Sequence, residues 1–170
     1  MKYILIVILL LWLNLIIAQE IIMPDFLSIR VFDEKEQIEY RLREFIPKDS
    51  LAVIFAFSPV GCTGTVVSVL SEIEKYERER NRGIKKIFLI CHERDGITDY
   101  ARFLSNYWQK RGVKVLRTSD LSTFVQYKID LYSGITAFFP SLDKQGKIFS
   151  TMQLFVEPDL IQSALIVDED

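Results

Sequence analysis

The stretch LAVIFAFSPVGCTGTVVSVLSEIEKY, residues 51–76, holds the change of pattern on which the fold turns. Leu51 to Ser58 form a short, continuous apolar run rich in strand formers, as a strand buried on both faces requires. Pro59 and Gly61 end that run. From Thr63 onward, Val66, Val67, Leu70, Ile73 and Tyr76 recur at spacings of three and four, which predicts an amphipathic helix. Cys62 falls between the two, where a strand stops and a helix starts. A thiolate there would face unpaired backbone N–H groups and the positive end of the helix dipole, which can lower a cysteine pKa to about 3.5–7.5.

The same alternation continues downstream. KKIFLIC, residues 85–91, reads as a second buried strand ending in Cys91. A helix is expected from Ile97 to about Arg111, with Tyr100, Phe103, Leu104 and Trp108 on one side and Gly112 as its stop. VKVLRT is a short strand, and Ser119 or Asp120 is placed to cap a short helix over LSTFVQYKI. GITAFFPSLDKQGKIFSTMQLFV reads as two strands joined by a turn at DKQG, followed by a helix that starts in EPDLIQSALIV. Upstream, DFLSIRVFDEKEQIEYRLREF alternates apolar and polar residues on both sides of DEKEQ, which predicts a β-hairpin. Strands alternating with helices imply an α/β domain. Its sheet is parallel at the centre, covered on both faces, with the last hairpin as an antiparallel edge. In such sheets chemistry gathers beyond the carboxyl ends of the central strands, where Cys62 and Cys91 both fall.

A chain of 170 residues with 12% aromatic content suits one domain around a single core. Residues 1–18 differ from the rest: Lys2 precedes an apolar run from Tyr3 to Ala18 broken only by Asn14. This order predicts a secretory signal peptide cut after Ala18, leaving a domain over residues 19–170. An uncleaved N-terminal anchor is the alternative, because the run approaches the length that spans a bilayer and Ile16 is bulky for its place before the cut. With no cysteine near the cut, a lipoprotein-type lipid anchor has no attachment point. The formal net charge is −2, and a mildly acidic surface excludes the electrostatic footprint of nucleic-acid binding. Export would carry Cys62 and Cys91 into an oxidising compartment. There the two thiols can form a disulfide, a redox couple, or two buried small apolar side chains.

Taken together, MPDFLSIRVFDEKEQIEYRLREF, LAVIFAFSPVGC, VKVLRTSDLSTFVQYKI and FFPSLDKQGKIF resemble, in order and spacing, the thioredoxin-like redoxins. That superfamily includes the alkyl hydroperoxide reductase and thiol-specific antioxidant proteins and the exported thiol-disulfide reductases. The resemblance runs from about Pro24 to Val156 and implies a thioredoxin-like fold, an opening hairpin, helices on both faces, and an active-site cysteine at Cys62. The motif is degenerate. The exported reductases carry two cysteines separated by two residues, but CTGT pairs Cys62 with Thr65, so no dithiol cycle can run within it. Peroxiredoxins carry Thr or Ser three residues before the cysteine, where this chain has Pro59. The superfamily's cis-proline should fall near Ala137, and only Pro140 lies nearby, by counting inside the strand.

Cys62, Thr65 and Cys91 are therefore the candidate catalytic residues. Thr65 could donate a hydrogen bond to a Cys62 thiolate from one turn along. Cys91, as the last residue of a buried strand, has a structural reading beside its reading as a partner of Cys62. His92 is the only histidine, too few ligands for a zinc site beside one thiol, and strand alternation turns it toward the surface. Arg94, Arg102 and Arg117 are candidate anion or thiolate partners, although charged side chains on such segments are usually solvated. The expected function is that of an exported thiol protein using a single nucleophilic cysteine for thiol-disulfide exchange or peroxide reduction. No bound cofactor or metal is required, and the partner is a thiol or disulfide protein, or a peroxide. A membrane association is expected only if residues 1–18 stay attached. The competing expectation is a catalytically inactive redoxin-fold domain with a binding or structural role in the cell envelope.

Overall fold

The structure, a computed structural model, describes residues 19–21, 26–33, 35–46, 51–58, 64–92, 98–127, 129–131, 134–140 and 146–166. Cys62, Pro59, Arg94, the Asp143 to Gln145 part of the last turn and the candidate signal segment lie outside them. The strands are β1 (Gln19–Ile21), β2 (Arg30–Asp33), β3 (Ile38–Arg41), β4 (Leu51–Phe57), β5 (Ile84–Cys91), β6 (Val113–Thr118), β7 (Thr136–Phe139) and β8 (Gly146–Ser150). The helices are α1 (Gly64–Arg80), α2 (Thr98–Gln109), α3 (Ser122–Gln126), α4 (Thr151–Val156) and α5 (Asp159–Leu165), with a 3-10 turn over Leu42–Phe45. The strands form one eight-stranded sheet in the order β1-β8-β7-β4-β5-β6-β2-β3. β4, β5 and β6 are parallel neighbours, and β7 returns antiparallel on the other side of β4.

The continuous apolar runs in β4 and β5 are explained by burial on both faces, every residue of β4 being buried. One face collects Phe55, Phe57, Phe88 and Ile90 with Val66, Val69, Leu70 and Ile73 of α1, Leu104 and Trp108 of α2, Leu154 of α4, and Ile161 and Leu165 of α5. The other collects Ile54, Ala56, Ile87, Leu89 and Cys91 with Phe26, Leu27, Ile29, Leu42 and Phe124 of α3. Phe88 anchors the first face, its ring set edge-on to Phe55 at 5.6 Å, Phe57 at 5.9 Å and Trp108 at 4.9 Å. Such offset contacts add about 0.5–1.5 kcal/mol each beyond the area they bury.

Two ion pairs fasten the periphery to this core. Near the end of α1, Glu77 accepts from the Ile84 backbone N–H at 2.7 Å and from Lys86 Nζ at 2.6 Å, which orders the helix-to-strand connection and satisfies a nearly buried lysine. At the opening hairpin, the buried carboxylate of Asp33 pairs with Lys114 of β6 and accepts from Lys35 N–H at 3.0 Å. The hairpin turn closes with Gln37 N–H donating to the Asp33 carbonyl at 2.8 Å, and Gln37 takes a positive φ of 57°.

Several expectations are corrected. The hairpin begins at Arg30 rather than at Asp25, because Phe26 turns back through Ile29 N–H to Phe26 carbonyl (3.2 Å) and buries its ring against Phe138 and Phe124. Neither Ser119 nor Asp120 caps α3; Leu121 holds that position without a side-chain cap, and Asp120 instead accepts from the Ser122 hydroxyl at 2.7 Å. The second strand of the last hairpin does not continue through Met152 to Val156. It stops at Ser150, whose hydroxyl accepts from Gln153 N–H at 3.1 Å and starts α4. The last hairpin is also not an edge, since β1 pairs beyond it, Gln19 lying opposite Ile148.

Candidate active site at the carboxyl edge of the sheet

β4, β5 and β6 all point the same way, so Ser58, Cys91 and Thr118 lie along one edge of the sheet. Ser58 N–H donates to the Leu131 carbonyl at 3.1 Å, and His92 N–H donates to the Thr118 carbonyl at 2.9 Å. The Thr118 hydroxyl in turn donates to the Arg30 carbonyl at 2.7 Å and accepts from Asp120 N–H at 3.0 Å. These bonds close the strand ends into a defined rim. α1 starts at that rim with Gly64 and Thr65, the latter half-buried.

Thr65 reaches across to α4, its Oγ1 standing 2.8 Å from Oγ1 of Thr151, a buried residue whose own N–H donates to the Ile135 carbonyl at 2.8 Å. Either hydroxyl of the pair can be the donor. If Thr151 donates, the Thr65 proton is left to point elsewhere; if Thr65 donates, it is consumed within the pair. No sequence signal identifies Thr151, which lies 86 positions from Thr65 and becomes its neighbour only through the β8–α4 turn.

Cys91 occupies the end of β5, as its place in the sequence suggests, but its side chain lies in the core cluster opposite α1. It is 1% exposed, and its thiol donates to the Leu89 carbonyl at 3.6 Å. Burial drives its pKa far above the ordinary thiol range, a hydrogen bond with the Phe57 backbone opposing that shift. Cys91 is therefore a neutral thiol at physiological pH. It stands on the far side of the sheet from the helix that Cys62 precedes.

Of the remaining candidates, His92 is half-buried rather than on the surface. Arg102 is an exposed residue near Asp99 at 3.4 Å, and Arg117 lies with its guanidinium 4.4 Å from the centre of the Phe32 ring. A shallow cleft lined by Arg30, Phe32, Glu39, Arg117, Thr118 and Asp120 opens beside the end of β6, two strands away from β4. Among the described residues, no group of three or more His, Cys, Asp or Glu side chains could hold a metal, and no helix is long and apolar enough to cross a membrane. Ala137, the counted position of the cis-proline, sits inside β7 opposite Phe55, and Pro140 follows the last residue of that strand. The chain that faces the end of β4 is instead Gly134 to Thr136, Thr136 being opposite Ala56.

Among solved structures, an uncharacterised thioredoxin-like protein from Porphyromonas gingivalis superposes with a TM-score of 0.54 at 12% identity, over 81% of this chain and 90% of that one. The chain has the thioredoxin-like fold. Two further structures of this fold are similar to it. BsSco, a member of the Sco family of cytochrome c oxidase assembly proteins, gives a TM-score of 0.53 at 7% identity over 82% of this chain and 92% of its own. Reduced Prx3 from Vibrio vulnificus gives 0.53 at 10% identity over 88% and 99%. No protein-family model and no curated protein sequence matches this thioredoxin-like chain.

Proposed function

We propose that this chain is an exported thioredoxin-fold thiol protein in which Cys62 acts as a lone nucleophile. The observation that supports the reading is the junction itself: β4, central in the sheet, ends at Phe57, α1 begins at Gly64, and the sequence supplies Cys62 within that short connection. A cysteine at the start of a 17-residue helix gains thiolate character from the unpaired N–H groups and the dipole. In disulfide exchange, the Cys62 sulfur attacks one sulfur of a partner disulfide, forming a mixed disulfide and releasing the other sulfur as thiolate. With a peroxide, the same thiolate takes one oxygen to become a sulfenic acid, and the O–O bond breaks to release an alkoxide or hydroxide that is then protonated. An external thiol completes either cycle by attacking the oxidised Cys62, since the Cys91 thiol is buried in a core cluster where its neutral form is favoured.

Export rests on the Lys2, apolar-run, Ala18 order, and a SCO1/SenC family lipoprotein from Bacillus anthracis is among the similar folds, at a TM-score of 0.52 and 9% identity. A second reading, an inactive binding or structural domain of the envelope, is favoured by the Thr65–Thr151 bond, which can tie up the hydroxyl that would otherwise serve the thiolate. Alkylation separates the two. In the folded, reduced protein at neutral pH, iodoacetamide should modify Cys62 at least about tenfold faster than Cys91, since only a thiolate reacts. Equal, slow labelling of both cysteines would sink the catalytic reading and leave the second.

A further inference from the structure

Two exposed apolar patches stand on the helices that cover one face of the sheet. On α2, Phe103 and Tyr107 are exposed with their rings stacked at 6.4 Å, and the Arg111 guanidinium lies 5.7 Å from the centre of the Tyr107 ring. On α4, Thr151 and Leu154 are buried, while Met152, Phe155 and Val156 are exposed. A single exposed apolar residue is ordinary, but stacked aromatic rings in the open are the rigid anchors that protein contacts use.

The two patches are opposite in charge. Arg102, Lys110 and Arg111 flank the α2 rings, and Asp99 is the one acid in that helix. At α4, the exposed Glu157 and Asp159 follow the apolar residues, and the chain holds no Lys or Arg from Ile148 to Ile166. A cleft between α1 and α5 brings Glu72 and Glu79 beside Asp159, with Lys75 as the cation among the described residues that line it. One chain thus carries both halves of a complementary pair. The placement of the halves fits a second copy of the chain. α2 packs on β6 and α4 on β8, strands on opposite sides of β4 and β5, and both helices contribute to the core of the same sheet face. When two such faces meet about a two-fold axis, α2 of each copy falls against α4 of the other, so the same contact forms twice and the assembly closes at two.

We infer that the chain forms a two-fold dimer in which Phe103 and Tyr107 of each copy pack on Met152, Phe155 and Val156 of the other. The inference goes beyond the thiol chemistry and does not depend on it. Burial of the rings supplies the affinity. The charges at the rim of the contact set its register and reject α2 against α2 or α4 against α4, where like charges meet.

Sedimentation equilibrium of the full chain tests this through charge reversals at exposed positions. One variant carries Arg102→Glu and Lys110→Glu, the other Glu157→Lys and Asp159→Lys, and a cooperative thermal melt identifies each as folded. The unaltered chain should be a dimer, and each variant alone should associate at least about tenfold more weakly, since like charges then face each other. An equimolar mixture of the two variants should recover the dimer, because opposite charges meet again at both contacts. A chain carrying all four changes should recover it too. A monomeric unaltered chain, a dimer indifferent to both variants, loss without recovery in the mixture, or assemblies larger than two would each overturn the inference.

Discussion

Cys91 shows how burial decides the behaviour of a side chain that the sequence presents as reactive. Its thiol lies between Leu89 and the Phe57 backbone with almost no contact with water, and the anion is disfavoured there. The linkage has a definite sign. The folded thiol titrates above its ordinary value of 9.0, so the unfolded chain loses this proton first, and the stability from this group is complete below that value and declines as pH rises above it. Between about pH 9 and 10.5, wild-type stability should therefore fall more steeply than that of Cys91→Ala, by up to about 1.4 kcal/mol per pH unit. Denaturant unfolding of both proteins across that range, read as the difference in slope, checks it; parallel slopes would show that Cys91 ionises freely in the folded state. Thr65 makes the complementary point, because its hydroxyl lies against Thr151, a partner contributed by the other end of the chain.

Among the elements, α4 is the one whose class the pattern of residues misassigns. KIFSTMQLFV alternates well enough to pass for a strand, but Ser150 caps Gln153 N–H and diverts the chain into a helix over α1. Replacing Ser150 with Ala removes the side-chain bond to Gln153 N–H at that cap and should cost about 1 kcal/mol in urea-unfolding stability. Ser150→Asp, which preserves an acceptor, should recover most of the loss; an unchanged midpoint in the alanine variant would mean that packing alone holds α4. The long elements were legible for a clear reason. Seventeen residues of α1 and the fully apolar β4 each repeat one period long enough to exclude the other. β1 spans three residues and acquires its partners only from β8, so it has no period to read.

For the molecule as a whole, a single sheet carries both core clusters, so a loss at its centre should be felt throughout. Phe88→Ala removes a ring in contact with Phe55, Phe57 and Trp108 and should destabilise the protein by about 3–5 kcal/mol. Thermal unfolding would register this as one cooperative transition at lower temperature; a split transition would indicate that the two faces unfold separately. Export is a prediction at this scale too. The N-terminal sequence of protein isolated from its own cells should begin at or near Gln19, and an intact Met1 in the membrane fraction would establish the anchored form instead.

The sequence by itself determined the α/β class, the order of the central strands with their connecting helices, and the position of Cys62 between a strand and a helix. Those features depend on local periodicity and on the breaks made by proline and glycine, which act over a few neighbouring residues. The tertiary structure alone decided which face of the sheet receives Cys91, that Thr151 meets Thr65, that β1 extends the sheet beyond β8, and that Ala137 pairs with Phe55. Each of these depends on pairings between residues far apart in the chain. A one-residue change of register turns a strand's side chains to the opposite face, and local pattern holds no record of the partner that sets that register.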